Sequence, residues 1–184
     1  MLRESETSKL LKEKMLELMQ TKSCLQIKVT ELTRYANVSR GTFYLHYDSI
    51  YDVIQKIEED YIEAEKQAIF SDPLLKDKDM DYYRRLISFI RDNNYVFRTL
   101  SGPNGDPSFQ SRFMRSFTDG FYERILGEPK IHLTQAERTL IFENVMAGRW
   151  AMYIWYASHE DEISIDDMCS LIDRLNRQVL ALLT

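Results

Sequence analysis

The sequence is poor in the residues that interrupt helices. Six glycines and four prolines in 184 residues leave little punctuation, and β-branched residues nowhere cluster in alternating runs. That excludes the sheet-rich classes and leaves an all-α chain. The two cysteines, Cys24 and Cys169, stand far apart, with no CxxC pair and no histidine at ligand spacing. Neither a disulfide framework nor a zinc site is expected, and reduced thiols are the default. Only three histidines occur (His46, His132, His159), with no nucleophile motif and no glycine-rich phosphate loop. No enzyme, no metal and no cofactor is therefore expected. No stretch approaches the roughly 18 apolar residues a membrane span needs, and no apolar leader is present, so a cytoplasmic protein without membrane contact is expected.

What is there fits an ordinary globular protein: 44% apolar and 29% charged residues, enough chain for one good core or for a small domain fused to a larger one. The net charge of −5 hides an asymmetry. Residues 1–50 hold eight Lys/Arg against six Asp/Glu, a net of +2, which leaves −7 on the rest. A mildly basic head on an acidic body suits a small DNA-binding unit attached to a larger domain that avoids DNA, although chance in a short window gives the same sum.

Helical periodicity places Leu10, Leu11, Met15, Leu16 and Met19 on one stripe, with Ser5 and Ser8 as capping options, so a first helix is predicted over 6–20. Leu25 and Ile27 are expected to plug the head. A second helix with Leu32, Tyr35 and Ala36 inward is capped by Thr30 on this reading. Asn37-Val38-Ser39 then makes a tight turn: Asn37 tolerates the left-handed conformation that ends a helix, Val38 anchors the turn, and Ser39 caps a helix from Arg40 to about Tyr47. Longer helices follow over 49–70, then over 80–100 with a break at Asn93-Asn94. Gly102-Pro103-Asn104-Gly105-Asp106-Pro107 is the strongest loop signal. A phenylalanine-rich helix (Phe109, Phe113, Phe117, Phe121) follows and ends near Gly127-Glu128-Pro129. Thr134 with Glu137 opens a helix to about Ser158, and Ser164 with Asp166 opens the last. About nine helices result, three in the head (residues 1–48, DNA-binding) and six in the body (residues 49–184, ligand-binding and dimerisation).

Two short helices, a tight turn and a following long helix form a helix-turn-helix, whose second helix enters the DNA major groove. Thr30-Glu31-Leu32, Ala36-Asn37-Val38-Ser39, Gly41-Thr42-Phe43-Tyr44 and His46-Tyr47, at this spacing, resemble the N-terminal domain of the TetR family of transcriptional regulators (TetR/AcrR type). The resemblance covers residues 5–60. Gly102 to Phe109 and the aromatic helix from Trp150 to Tyr156 resemble a subgroup with a Firmicutes-type C-terminal domain. The resemblance implies an all-α homodimer joined through its last two helices, with the head on a ligand-sensing body. Two departures stand out. Asn37 replaces the usual glycine of the turn, and Ile50 stands where many members have a lysine that touches the DNA backbone, which removes one phosphate contact.

Eight residues are candidates for DNA. Arg40 and Thr42, early in the recognition helix, suit base edges: Arg bonds guanine O6 and N7, and Thr touches a thymine methyl. A solvated surface arginine is the plainer alternative. Gly41 would let a phosphate approach the backbone, or else a neighbouring helix. Ser39, Tyr44 and His46 suit phosphate oxygens, with Tyr44 open to a core role and Phe43 assigned to the core. Lys28 and Arg34 are candidate phosphate neighbours, with plain solvated charge the alternative, and Thr30 is a cap at a helix N-terminus that suits phosphate. In the body, Phe89, Phe97, Phe113, Phe117, Trp150 and Tyr153 are candidates to line an effector pocket, though an aromatic stripe at helical spacing is more often simple core. Arg149 either holds an acidic effector group or bridges to a neighbouring helix. Ile141, Val145, Met152, Leu171, Leu175 and Leu182 form an apolar surplus suited to a dimer interface. The expected function is a homodimeric repressor released from a double-stranded, pseudo-palindromic operator by a small-molecule effector. An activator whose body contacts a protein partner is the alternative.

Overall fold

The computed structural model describes residues 5–70, 79–116 and 133–183. Among them are nine α-helices and no strand: α1 (Glu6–Met19), α2 (Val29–Tyr35), α3 (Arg40–Tyr44), α4 (Ile50–Phe70), α5 (Asp79–Asp92), α6 (Asn94–Ser101), α7 (Phe109–Arg115), α8 (Gln135–Ser158) and α9 (Ile165–Leu183), with a 3-10 turn at Cys24–Gln26. The all-α class is thus observed. Chain contacts divide the protein into two compact units, Met1–Glu63 with Tyr95–Phe109, and Ala64–Asn94 with Gln110–Thr184.

Capping chemistry fixes the helix starts where the sequence placed them. Ser5 accepts a hydrogen bond from the Ser8 N–H at 3.1 Å, and Ser164 accepts one from the Asp167 N–H at 3.1 Å. At Thr134 the capping box is complete: its hydroxyl accepts from the Glu137 N–H, and the Glu137 carboxylate accepts from the Thr134 N–H at 2.8 Å. The expected break at Asn93 separates α5 from α6. The terminators expected at Ser71-Asp72-Pro73 and Gly127-Glu128-Pro129 lie outside the described residues, as do Phe117 and Phe121.

In the first unit α1 buries Leu11, Met15, Leu16 and Met19, and Leu32, Phe43, Val53, Ile54 and Ile57 complete the core. The loop after α6 ties into this unit. The Cys24 N–H donates to the Asn104 carbonyl at 2.8 Å, and the Gln20 amide donates to the Thr99 hydroxyl at 2.7 Å. Tyr61 stacks on Phe97 at 6.2 Å and meets Phe109 edge-on at 6.1 Å. Gly105 is a packing requirement: a Cβ there would lie 1.9 Å from the Leu100 carbonyl oxygen.

Three expectations for the head are corrected. Leu25 is 67% exposed, because the connection winds into a 3-10 turn that buries Cys24 and leaves Ile27 as the plug. Tyr35 is exposed, with the Lys14 ammonium 5.8 Å from its ring centroid. Thr30 lies inside α2; the N-cap is Lys28, with no side-chain bond.

The second unit packs α5 on α8 and α9. Leu86, Ile87 and Ile90 of α5, Met146, Tyr153 and Tyr156 of α8, and Met168, Cys169 and Ile172 of α9 are buried. Arg84 pairs with Asp166, and the Asn94 amide donates to the Ala157 carbonyl at 3.0 Å.

Candidate nucleic-acid interface

The turn between α2 and α3 is set by Asn37, the one non-glycine residue with positive φ (53°) among the described residues. Asparagine adopts this left-handed geometry at lower cost than most side chains, so the usual glycine is dispensable here. The Val38 N–H closes the turn onto the Thr33 carbonyl at 3.0 Å. Ser39 starts α3, accepting from the Thr42 N–H at 2.9 Å, and its hydroxyl bonds that of Thr42 at 2.8 Å. Phe43 is 0% exposed and anchors the helix, its ring 5.3 Å from Tyr44 and 6.0 Å from Tyr47. The Ser8 and Tyr47 hydroxyls bond at 2.6 Å, holding α3 against the start of α1.

This packing leaves Ser39, Arg40, Gly41, Tyr44 and His46 exposed and Thr42 half-buried. Tyr44 is 49% exposed, so it is not a core residue. His46 shares a 3.5 Å hydrogen bond with Ser5, and Lys28 and Thr30 lie exposed at the start of α2. Leu45, 81% exposed and four residues beyond Gly41, was not singled out from sequence. Its spacing, on the face of Gly41, was the available signal.

The cations of the head fall into two sets. Lys9 pairs with Glu6, Lys12 with Asp60, Lys14 with Glu13 and Glu17, and Lys22 with Glu31. Hydrogen bonds donated to Glu17 and Glu13 push the Lys14 ammonium up to about 12, and the Lys22 ammonium holds the Glu31 carboxyl below its usual range. Lys28, Arg34 and Arg40 are exposed and make no ion pair among the described residues. The uncompensated positive charge thus lies on α2, its cap and α3, where an anionic backbone would be met. Gly41 is free of packing demands: an added Cβ would meet only the Ser39 hydroxyl oxygen, at an ordinary 3.6 Å. At position 50 the half-buried Ile50 opens α4 between acidic caps, Asp52 accepting from the Asp48 N–H at 3.0 Å.

The aromatic candidates of the body are distributed over both units. Phe97 is in the first, against Tyr61. Phe89, Phe113, Trp150 and Tyr153 are in the second, where Phe113 and Trp150 lie 5.9 Å apart and Phe89, Phe113 and Tyr153 are buried. Phe117 lies outside the described residues. Arg149 is buried and does reach a neighbouring helix, but through neutral acceptors. It donates to the Asn176 side chain and to the Ile172 carbonyl at 3.4 Å, and lies 5.8 Å over the Tyr83 ring.

Among the described residues, no helix is long and apolar enough to cross a membrane, and no cluster of three or more His, Cys, Asp or Glu could hold a metal ion. No family profile matches the sequence. A curated relative, an uncharacterised HTH-type transcriptional regulator of Bacillus subtilis (strain 168), is 27% identical over 135 residues, 70% of this chain. The chain spans about a third (34%) of that relative's length. Among solved structures, a TetR transcriptional regulator from Streptococcus agalactiae 2603V matches with a TM-score of 0.70 and 19% identity, over 97% of this chain and 93% of that one. The dihydroxyacetone kinase operon activator DhaS matches with a TM-score of 0.60 and 17% identity, over 97% and 98%. With its helix-turn-helix head and only helices among the described residues, the chain is built on the fold of the TetR family of transcriptional regulators.

Proposed function

We propose that the chain is a ligand-responsive, DNA-binding transcriptional regulator that works as a cytoplasmic homodimer, a repressor released from a pseudo-palindromic operator by a small-molecule effector. The observation that carries this reading is the separation of charge in the head. Every other described head cation is paired with a carboxylate, while Lys28, Arg34 and Arg40 stand exposed on the helix-turn-helix. Arg40 and Thr42 read bases, Ser39, Tyr44, His46, Lys28 and Thr30 hold the backbone, and Gly41 admits it closely. Repression is the simplest action for such a protein, since occupancy of a promoter excludes other proteins without a further contact surface.

One head covers half an operator, so function needs two. The surface of α8 offers a seam: Leu140 is 70% and Trp155 43% exposed, with exposed Ala147, Gly148 and Ala151 between them. On α9, Leu175 is 38% exposed. Ile141, Val145, Met152 and Leu171 are half-buried, room enough to take part in the same contact. The small residues would let a partner helix approach closely.

Arg40→Ala is expected to lower the preference for the matched operator over one changed at a single base pair by about 10- to 100-fold, the discrimination of one bidentate contact. Tyr44→Phe should weaken binding to all sequences alike by about threefold to tenfold, the worth of one hydrogen bond. Gel-shift titrations on matched and changed duplexes distinguish the two. Equal effects of both substitutions on all duplexes would contradict the assignment. Gly41→Ala separates fold from function. Removing a helix-interior glycine should stabilise the free protein, by up to about 1 kcal/mol, and should weaken DNA binding by about tenfold if the phosphate approaches there. Thermal melting and the same titrations read the two effects.

A second reading, an activator of the same fold, is favoured by the likeness to DhaS and by the net −7 carried outside residues 1–50. Footprinting with and without a protein partner separates it from repression.

A further inference from the structure

On α4, Tyr61, Glu65 and Ile69 are buried at four-residue intervals. An apolar side chain is the ordinary occupant of the middle position, yet Glu65 is 0% exposed. Neither of its carboxyl oxygens meets a hydrogen-bond donor among the described residues. Such a group is costly whether charged or neutral. Burial pushes its carboxyl from 4.5 up to about 8, against a weaker opposing pull from Lys66, exposed on the same helix.

The neighbouring groups do not compensate it. The buried Tyr153 phenol of α8 is within electrostatic reach of Glu65, and also of Tyr83 of α5, Arg149 of α8 and Cys169 of α9. Burial raises both Tyr153 and Cys169, the latter to about 11, so both are neutral at neutral pH. The Arg149 cation is engaged by Asn176, the Ile172 carbonyl and the Tyr83 ring.

We propose that Glu65 anchors an effector site inside the second unit that takes a small organic cation, an ammonium or amidinium on an apolar body, with the Tyr153 phenol beside it. The cation supplies the missing donors, the carboxyl ionises, and its proton leaves to solvent. An anionic effector would place like charges together. Glu65 sits on the helix that begins a few residues after the recognition helix, so occupancy acts on an element continuous with the head. That consequence rests on the regulator reading; binding itself does not.

The test is calorimetry on the full chain without DNA, using phenethylammonium and hexylammonium against 2-phenylethanol, 1-hexanol and phenylacetate. The ammonium ions should bind at least about tenfold tighter than the matched alcohols, and phenylacetate not at all. Ammonium affinity should rise as pH goes from about 6 to 8 and then level, with a proton released per site, read from heats in buffers of different ionisation enthalpy. Without ligand, the fold should lose stability through this group as pH rises from 4.5 to about 8, because the folded state holds the proton more tightly than the unfolded one. Glu65→Gln should abolish the ammonium preference and flatten both pH profiles, and Glu65→Leu should raise the melting temperature of the empty protein. Equal binding of ammonium and alcohol, no binding of either, or an unchanged preference in Glu65→Gln would overturn the proposal. If those results came with specific DNA binding intact, the ligand class alone would fall.

Discussion

Gly148→Arg is expected to leave the protomer helical and to abolish tight binding to a two-half-site operator. Gly148 is exposed in the middle of α8, and an added Cβ would meet nothing within 4 Å among the described residues. A glycine inside a helix costs about 1 kcal/mol relative to alanine, and nothing among the described residues explains that cost here. A partner helix seated on Ala147, Gly148 and Ala151 would. An arginine at this point places a long charged side chain in the seam, and two-fold symmetry places two. Separating the protomers forfeits the coupling of two half-site contacts, which loosens operator binding by on the order of 10³-fold. Sedimentation should report a monomer, circular dichroism an unchanged helix content, and gel shifts the loss of affinity. A Gly148→Arg protein that remains dimeric and binds DNA normally would place the interface elsewhere.

Gly105→Ala is expected to be the most damaging single methyl group in the first unit. The new Cβ would lie 1.9 Å from the Leu100 carbonyl oxygen and 3.0 Å from that of Thr99, so backbone must move. The loop has little freedom to do so. The Asn104 carbonyl accepts from the Cys24 N–H at 2.8 Å, and Asp106 accepts from both the N–H and the hydroxyl of Ser108 at 2.9 Å. Overpacking of this kind costs about 3 kcal/mol, and for a chain of this size that lowers the melting temperature by about 10 °C. Gly105→Ala melting like the parent would show that the loop can yield. Pro103→Ala, at an exposed position two residues away, serves as the control and should change little.

What could be read from sequence follows the range of the interactions involved. Ser5, Ser39, Thr134 and Ser164 act within one helical turn, and Asn37 within one peptide, so residue type alone located them. Phe43 was legible as core because its neighbours in the motif are polar. Leu25 and Tyr35 misled because their segments are too short for periodicity to define a face; the 3-10 turn at Cys24 decided one of them, and packing in three dimensions the other. The Gly102–Asp106 loop was plain as a loop, but its bond from Cys24 spans the chain and left no local mark. Likewise the pairing of Lys12 with Asp60 and Lys22 with Glu31 is non-local, yet it decides which head cations remain outside ion pairs. Glu65 did leave a signal, a carboxylate four residues from Tyr61 and from Ile69, but it was not singled out from sequence.

Selection of bound sequences from random duplex DNA at low salt tests the central claim most directly. The helix-turn-helix reading predicts enrichment of two inverted half-sites with centres about one helical turn, or a multiple of it, apart. It also predicts that Arg40→Ala loses preference at one symmetric base-pair position in each. Recovery of unrelated sequences, with no paired half-sites, would contradict the account of this chain as a reader of DNA.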